Sequence, residues 1–450
     1  MDSHHSTPAR RARRFAALAG AAVLQTVVVA CAPPGSGNTA TVPTDPVPVN
    51  IDLGTDPIEL TLYDGAGLKK IDEALIAAFT ERHPNVTITP RYDPDEVQAV
   101  NAPRVLASEN PPDIARIIAL PAAVANHQLT ALDPWADAYG WNTLPPGQSA
   151  MYRVDANGIR GTGPQYTMAS GFTVTGLYYN KELANRIGMV EPPTTVAEFE
   201  QALASAKTAG LIPIMAGNKS AQVTFLVQMM LNNALGPDAV NGWVFNAPGA
   251  TLDTPAAVDA AAVVAGWAAK GYFPADTNGT DATAAAGRFA AGEALFYVSG
   301  NWDAATLQAK MGENVGFTLP PAPAGSPVLA MSDPVSNFAI PSGSDDKNAA
   351  AAFLDFLRSD AGRQVVVDAG FAPSGTGPVP ATAPGSLGAQ IQAAFDILVA
   401  ADGQVQFVQN ATNGMSGTWL PQVQMLVAGR TTPGEMMAAV QSAYEQDLLR

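Results

Sequence analysis

Strand-like and helix-like segments alternate along most of this chain, and that order limits the folds open to it. Residues 58–63 alternate apolar and polar side chains as a strand does, residues 68–79 carry their apolar side chains on one helical face, and residues 86–89 alternate again. The same mixture continues to the C-terminus. At about 150 residues per domain, a chain of 450 residues allows two or three domains. The alternation predicts an α/β protein built as two lobes.

Local signals place several later elements. Leu-Tyr-Tyr at 177–179 is typical of a strand, and Thr195 with Glu198 forms the pattern of a capping box, which begins a helix that we expect to end near Gly210. Thr-Pro pairs at 254–255 and 432–433 predict two more helix starts, because proline suits the first helical position.

The N-terminus has the composition of an export signal. Four arginines (Arg10, Arg11, Arg13, Arg14) precede the mostly apolar residues 15–30, which are too few for a membrane span of about 20 residues. Val-Val-Ala-Cys at 28–31 resembles the lipobox of bacterial lipoproteins, in which the cysteine is acylated. We therefore predict that residues 1–30 are a signal peptide and that Cys31 is lipidated on the outer face of the cytoplasmic membrane. Both the general and the twin-arginine export routes remain open.

The composition changes abruptly after Cys31. Residues 31–57 are rich in proline, glycine and small polar residues and show no apolar period, which is typical of a linker. We expect a flexible tether here, with the folded part beginning near Ile58.

Charge and motif content disfavour several function classes. The chain carries 24 basic and 40 acidic residues, a net charge of −16, which repels nucleic-acid phosphates. No G-x-S-x-G nucleophile elbow, phosphate-binding loop or metal-ligand cluster occurs. Gly-Ala-Gly-Leu-Lys-Lys at 65–70 follows a strand but has Lys70 where a dinucleotide fingerprint needs glycine. We expect a binding protein that needs no cofactor or metal and is not an enzyme.

Six segments, in order along the chain, resemble the extracellular solute-binding proteins of ABC importers, within the carbohydrate-binding group that includes maltose-binding protein. They are Pro-Pro-Asp-Ile at 111–114, Gln-Leu-Thr-Ala-Leu-Asp at 128–133, Gly-Leu-Tyr-Tyr-Asn-Lys at 176–181, Pro-Thr-Thr-Val-Ala-Glu-Phe at 193–199, Phe-Ala-Ala-Gly-Glu-Ala at 289–294 with Gly-Asn-Trp at 300–302, and Ala-Ala-Phe-Leu-Asp-Phe-Leu at 351–357.

The resemblance implies two α/β lobes joined by hinge strands, with the ligand held in the cleft between them. Lobe one would comprise 58–168 and 301–345, and lobe two 171–299 and 346–450. The implied function is that of a monomeric, lipid-anchored receptor that captures a sugar or glycoside and delivers it to permease and ATPase subunits made as separate chains. Two other classes remain open: a secreted carbohydrate hydrolase and a static lectin-like surface lipoprotein.

The resemblance and the chemistry of sugars together give candidate ligand residues. A pyranose has an apolar face that suits an aromatic ring and hydroxyls that suit fixed polar groups. Trp302 and Trp419 lie where the family places stacking indoles, whereas Trp135, Trp141 and Trp267 are expected in the core. The polar candidates follow strand ends or the motifs and are Asp64, Arg116, Ser170, Asn301, Ser332 and Asp333.

The chain departs from the family pattern at two places. Residues 117–120 are apolar where maltose-binding protein has an aromatic residue followed by charged residues, and Val196 replaces a tryptophan. The first change removes hydrogen-bonding partners on one lobe, so a malto-oligosaccharide is not implied. An amino sugar, a disaccharide, a sugar phosphate and an amphiphilic glycoside all remain open as ligands.

Overall fold

Two large β-sheets and two two-stranded sheets, β4-β5 and β11-β14, organise the part of the chain that the computed structural model describes, which is residues 48–375, 382–412 and 414–449. The predicted signal peptide and Cys31 lie outside these residues. The strands are β1 (Ile58–Gly65), β2 (Val86–Asp93), β3 (Ile114–Arg116), β4 (Arg153–Val154), β5 (Arg160–Gln165), β6 (Thr167–Phe172), β7 (Thr175–Asn180), β8 (Ile212–Met215), β9 (Ala294–Gly300), β10 (Val315–Thr318), β11 (Ala330–Met331), β12 (Pro334–Ala339), β13 (Ala372–Pro373) and β14 (Gln404–Val405).

Helices cover both sheets. They are α1 (Lys69–Arg82), α2 (Asp95–Leu106), α3 (Leu120–Ala125), α4 (Asp133–Tyr139), α5 (Pro146–Met151), α6 (Lys181–Arg186), α7 (Val196–Thr208), α8 (Gln222–Leu235), α9 (Pro237–Val244), α10 (Pro255–Ala269), α11 (Ala282–Ala290), α12 (Ala304–Met311), α13 (Lys347–Phe356), α14 (Asp360–Asp368), α15 (Leu387–Ala400), α16 (Met415–Val427) and α17 (Pro433–Leu448). None of the helices in the described residues is long and apolar enough to cross a membrane.

The first sheet has six strands in the order β13-β6-β12-β3-β1-β2. Strands β1, β2 and β3 are parallel, as the predicted β-α-β order requires, and β12 returns antiparallel between β3 and β6. The carboxyl ends of β1 and β3 therefore meet at one edge, which brings Asp64 and Arg116 together.

The second sheet has four strands in the order β10-β7-β9-β8. Strand β7 pairs antiparallel with β9 and β10, and β8 runs parallel to β9. The chain passes from the first sheet to the second at residues 173–174, and residues 332–333 lead back into the first sheet from β11, which pairs with β14. We call these two adjacent segments the crossing.

Sheet membership corrects the predicted division of the chain at two places. Strand β10 lies within 301–345, which we assigned to lobe one, but it pairs with β7 in the second sheet. Helices α13 and α14 lie within 346–450, assigned to lobe two, yet they pack on the first sheet; the Phe353 ring lies 5.3 Å from that of Phe79 in α1. The motifs used for the division mark elements and do not show which sheet an element joins.

Local predictions of helix starts are confirmed. Thr195 and Glu198 form a capping box at the start of α7, and Thr432 and Glu435 form another at α17. Thr254 caps α10, where Pro255 takes the first helical position.

The described end of the predicted tether is attached to the folded body, which corrects the expectation that the tether is flexible as far as residue 57. The Asn348 side chain donates to the Pro48 carbonyl and accepts from the Asn50 amide, each at 3.1 Å. Asn85 donates to the carbonyl of Asp56 at 3.1 Å. The side-chain amides of Asn348 and Asn85 bind backbone groups of this stretch, so it can attach to the folded body without apolar residues.

The core contains most of the tryptophans. Trp135, Trp141 and Trp267 are buried as predicted, and their indole N–H groups donate to Asn348, Asp355 and Glu200. Burial of these three indoles is tolerated because each indole N–H has a side-chain acceptor.

Candidate ligand-binding site at the crossing

Three of the predicted ligand residues hold the crossing together. Asn301 accepts from the Val174 amide at 3.1 Å and donates to the Phe172 carbonyl at 3.3 Å. Ser332 donates to the Thr173 carbonyl at 2.7 Å, and Ser170 donates to the Val335 carbonyl at 3.1 Å. All three side chains are buried. Their polar groups satisfy backbone atoms where the chain leaves each sheet, and hence their place in the site is structural.

Asp64 and Arg116 form an ion pair with each other. Arg116 Nε lies 2.5 Å from Asp64 Oδ1, and its Nη2 lies 3.3 Å from Asp95 Oδ1. The Asp64 side chain is fully buried. The sequence placed both residues at the correct sheet edge, but their charges are already compensated within the protein.

A second buried acid, Asp72, completes this cluster and was not predicted. Ser336 donates to Asp72 Oδ1 at 2.8 Å, and the other carboxyl oxygens of Asp72 and Asp64 have no other partner among the described residues. Burial, with the charge and hydrogen bond of Asp64, raises the pKa of Asp72 to about 9. Burial beside Asp64 therefore favours the protonated form of Asp72 in the folded protein.

The glycine-containing turn at 65–70 does not present its amides to a phosphate. The carboxylate of Asp95 accepts from the Gly67 amide at 3.1 Å and lies close against both Gly65 and Gly67. A carboxylate in that position repels a pyrophosphate, which supports the rejection of a dinucleotide site.

Trp302 differs from the other tryptophans. Of the six in the chain, all of which lie in described residues, it alone has an exposed side chain, at 40%. Its ring folds back over Gly300, where any side chain would overlap the indole. Phe225 meets the indole edge-to-face at 6.1 Å, and Phe407 meets Phe225 in the same way at 5.7 Å. The Trp302 indole is therefore packed against Gly300 and Phe225 and is still exposed to solvent.

The turn that carries Trp302 is braced by polar groups that sequence reasoning missed. Asp303 Oδ2 accepts from Tyr297 at 2.7 Å and from Ser299 at 2.6 Å, and Gln222 donates to Tyr297 at 2.7 Å. Tyr297 and Ser299 are buried on β9, Gln222 is buried on α8, and Asp303 follows Trp302 directly. No motif marks them, since their partners are up to 75 residues apart.

Asp333 lies at the crossing with one carboxylate oxygen unpaired. Its backbone N–H donates to Thr173 Oγ1 at 2.8 Å, its carbonyl accepts from the Thr173 amide at 2.9 Å, and Asn410 donates to Oδ2 at 2.5 Å. Oδ1 is buried and has no partner among the described residues. Burial raises the pKa of Asp333 to about 6 against the opposing charge of Arg160 and the Phe407 and Asn410 hydrogen bonds.

Trp419 is a correction to the predicted site. Its side chain is 1% exposed, within the core contacts of α16. An indole buried to that degree offers no face to a ligand in this conformation. The expectation came from its position near the C-terminus, which does not show which side of the helix faces the core.

Two surface cavities of about 570 and 600 Å³ lie away from these residues. One lies beside Arg91 and Arg104 on the first sheet, and the other lies beside Lys207 and Arg288 near α10. Arg288 is paired with Asp276 and Glu293. Neither cavity combines an exposed aromatic ring with an unpaired buried carboxylate, which the crossing does.

The fold and the crossing together define a two-lobed binding protein of the periplasmic-binding-protein type. A profile of the family described as "Bacterial extracellular solute-binding protein" matches residues 65–364. The chain belongs to this family, whose members are exported.

Solved structures of similar fold cover most of the chain. A chitin oligosaccharide binding protein is 20% identical with a TM-score of 0.69, covering 88% of this chain and 100% of its own. A family 1 extracellular solute-binding protein from Bifidobacterium longum subsp. infantis is 20% identical, with a TM-score of 0.70 and coverage of 87% and 100%. RafE from Streptococcus pneumoniae is 17% identical, with a TM-score of 0.72 and coverage of 88% and 99%. No curated protein sequence matches the chain.

Proposed function

We propose that this protein is the lipid-anchored, monomeric receptor of an ABC importer and that it captures a sugar or glycoside between two closing lobes. Lobe one would comprise 58–172 and 334–375, and lobe two 175–331 and 387–449. Cys31 would carry the lipid anchor, and separate permease and ATPase chains would receive the ligand. Export and solute binding follow from the family; the sugar, the anchor and the transporter are the proposal.

The exposed indole of Trp302 is the observation that carries the sugar assignment. A tryptophan at 40% exposure, held by Gly300 and Phe225, is a flat platform of the kind that stacks on the C–H face of a pyranose. Asp333, on the adjacent crossing, supplies the polar complement, because a carboxylate oxygen accepts a sugar hydroxyl. Of the predicted ligand residues, we retain these two as direct contacts.

Neighbouring structures support the same ligand class. One is a chitin oligosaccharide binding protein, one is RafE in complex with raffinose, and AcbH is described as preferring β-D-galactopyranose. These ligands are neutral carbohydrates of different sizes. They define a panel for this chain.

Titration of the full chain with raffinose, galactose, xylotriose and chitotriose tests the proposal. A bound sugar at 100 times its Kd adds about 2.7 kcal/mol to the free energy of unfolding, which a thermal-shift assay detects, and calorimetry gives the Kd. We expect at least one sugar to bind and to be recovered unchanged. Cleavage of the sugar would favour the hydrolase alternative, and the absence of binding across the panel would refute sugar capture.

A further inference from the structure

A surface cavity of about 570 Å³ lies between the first sheet and the C-terminal end of α2. On the sheet side, Thr61 pairs with Thr89 and Tyr63 pairs with Arg91 across β1 and β2, and alternate residues of a strand share one face. On the helix side, Arg104 lies in the last turn of α2. None of the described residues that line the cavity belongs to the candidate sugar site, so the cavity is built from a different part of the chain.

The lining of this cavity is basic although the protein is strongly acidic. The chain has a net charge of −16, yet the described residues that line the cavity include two arginines and no aspartate or glutamate. Arg104 is exposed and forms no ion pair or hydrogen bond with another described side chain. A guanidinium has five N–H donors and no acceptor. Arg104 can therefore bind an anion without first losing a partner within the protein.

The second arginine, Arg91, is held in place by its neighbours. Its guanidinium lies 4.9 Å from the centre of the Tyr63 ring, and its Nη2 lies 3.5 Å from Asp93 Oδ2. Tyr63 is buried and donates to the same Asp93 oxygen at 2.7 Å. Asp93 is therefore shared between two donors, and Arg91 keeps other N–H groups for a ligand. Thr89, two residues earlier on the same face of β2, is exposed and offers a hydroxyl.

We propose that this cavity is a second binding site, which takes a small organic phosphate monoester with its phosphate between Arg91 and Arg104. A phosphate monoester carries nearly two negative charges and three acceptor oxygens, which suits two guanidinium groups better than a single carboxylate does. A cavity of about 570 Å³ is in the range of small-molecule sites and is much larger than a phosphate group alone. Leu62, Val105 and Pro112 line the rest of it and would contact the organic part of the ligand.

Calorimetric titration of the full chain with phenyl phosphate tests the site, and inorganic phosphate and phenol each supply half of that probe. Phenyl phosphate should bind more tightly than either half. Arg91→Met and Arg104→Met should each weaken its binding about 10-fold or more, the scale of a hydrogen bond to a charged group. Arg104→Lys should restore only part of the affinity, because lysine keeps the charge but not the planar pair of donors. Arg82→Met removes an exposed arginine of α1 that does not line the cavity, and this matched control should leave the Kd unchanged.

Trp302→Ala separates this site from sugar capture and should not change the Kd for phenyl phosphate. Loss of phenyl phosphate binding in that variant would place the phosphate at the sugar site and overturn the proposal. No binding to the wild type at millimolar concentration, or equal Kd values for the wild type and both arginine variants, would also overturn it and leave the sugar proposal intact. Binding to phosphatidylglycerol vesicles that both arginine variants abolish, without binding of phenyl phosphate, would assign the arginines to the membrane surface instead.

Discussion

Replacing Asp72 with asparagine should make the protein more stable at neutral pH, although it removes a buried, hydrogen-bonded carboxyl group. Asp72 lies fully buried in the first turn of α1, between Ser336 and Asp64. Because its pKa is raised to about 9, the folded protein holds a proton on Asp72 at pH 7. Asparagine reproduces that arrangement without a proton: its amide N–H donates to Asp64 and its oxygen accepts from Ser336.

The magnitude follows from proton linkage. The ordinary pKa of the carboxyl is 3.8, so unfolding at pH 7 releases the Asp72 proton. Keeping the group protonated across about 3.2 pH units, at about 1.36 kcal/mol each, lowers the free energy of unfolding by at most about 4 kcal/mol. Because the pKa of Asp72 is higher in the folded state than in the unfolded state, the free energy of unfolding falls as the pH rises from about 4 to about 9. Asp72→Asn should recover up to that amount at pH 7 and nothing below pH 4.

Urea unfolding of wild type and Asp72→Asn at pH 4, 5.5, 7 and 8.5 measures this difference directly. Asp72→Ala is the control, since it leaves the Ser336 hydroxyl and Asp64 Oδ2 unpaired and should be less stable than wild type at pH 4, where the proton carries no cost. A loss of stability in Asp72→Asn at pH 7, with the wild-type pH slope retained, would mean that Asp72 is ionised in the folded protein and would refute the reasoning.

Three further expectations concern the proposed function. Trp302→Ala should weaken sugar binding by about 1–3 kcal/mol with little change in unfolding free energy, because the indole is 40% exposed, whereas Trp302→Phe should retain most of the affinity; equal losses in both would argue against stacking. A saturating sugar should reduce the radius of gyration in solution scattering, and binding without that reduction would indicate a static lectin. Cys31→Ala should abolish metabolic fatty-acid labelling, and undiminished labelling would refute the lipobox.

The fold was predictable where the signals are local. The Thr195–Glu198 capping box needs only four adjacent residues, and its backbone amides are satisfied by side chains within that span. The parallel pairing of β1 with β2 follows from a strand, a helix and a strand in close succession. Sheet membership of β10 depended on pairing with residues more than 130 positions away, for which a single sequence carries no local signal.

The sequence predicted where several candidate site residues lie, but it did not predict which protein groups they pair with. Asp64 and Arg116 were placed at the right edge, yet their mutual pairing was not predicted, and neither was the buried acid Asp72 on α1. Asn410, which donates to Asp333, comes from a distant segment and belongs to no recognisable motif. Residue type and spacing indicate which groups are available for binding, but only the folded chain shows which of them are already used.

Asn301 and Trp302 are adjacent in one motif, but Asn301 binds backbone groups of the crossing whereas Trp302 is exposed. A ligand that contacts Trp302 therefore lies next to the crossing. The Asn301 amide is bonded to Phe172 and Val174, on either side of the point where the chain changes sheets. The next residue presents its ring to solvent. A ligand held between Trp302 and Asp333 would therefore contact one crossing segment at Asp333 and lie one residue from Asn301, which binds the other. Since a ligand shifts a conformational equilibrium only by its differential affinity for the two states, contacts at the crossing are well placed to favour closure of the lobes.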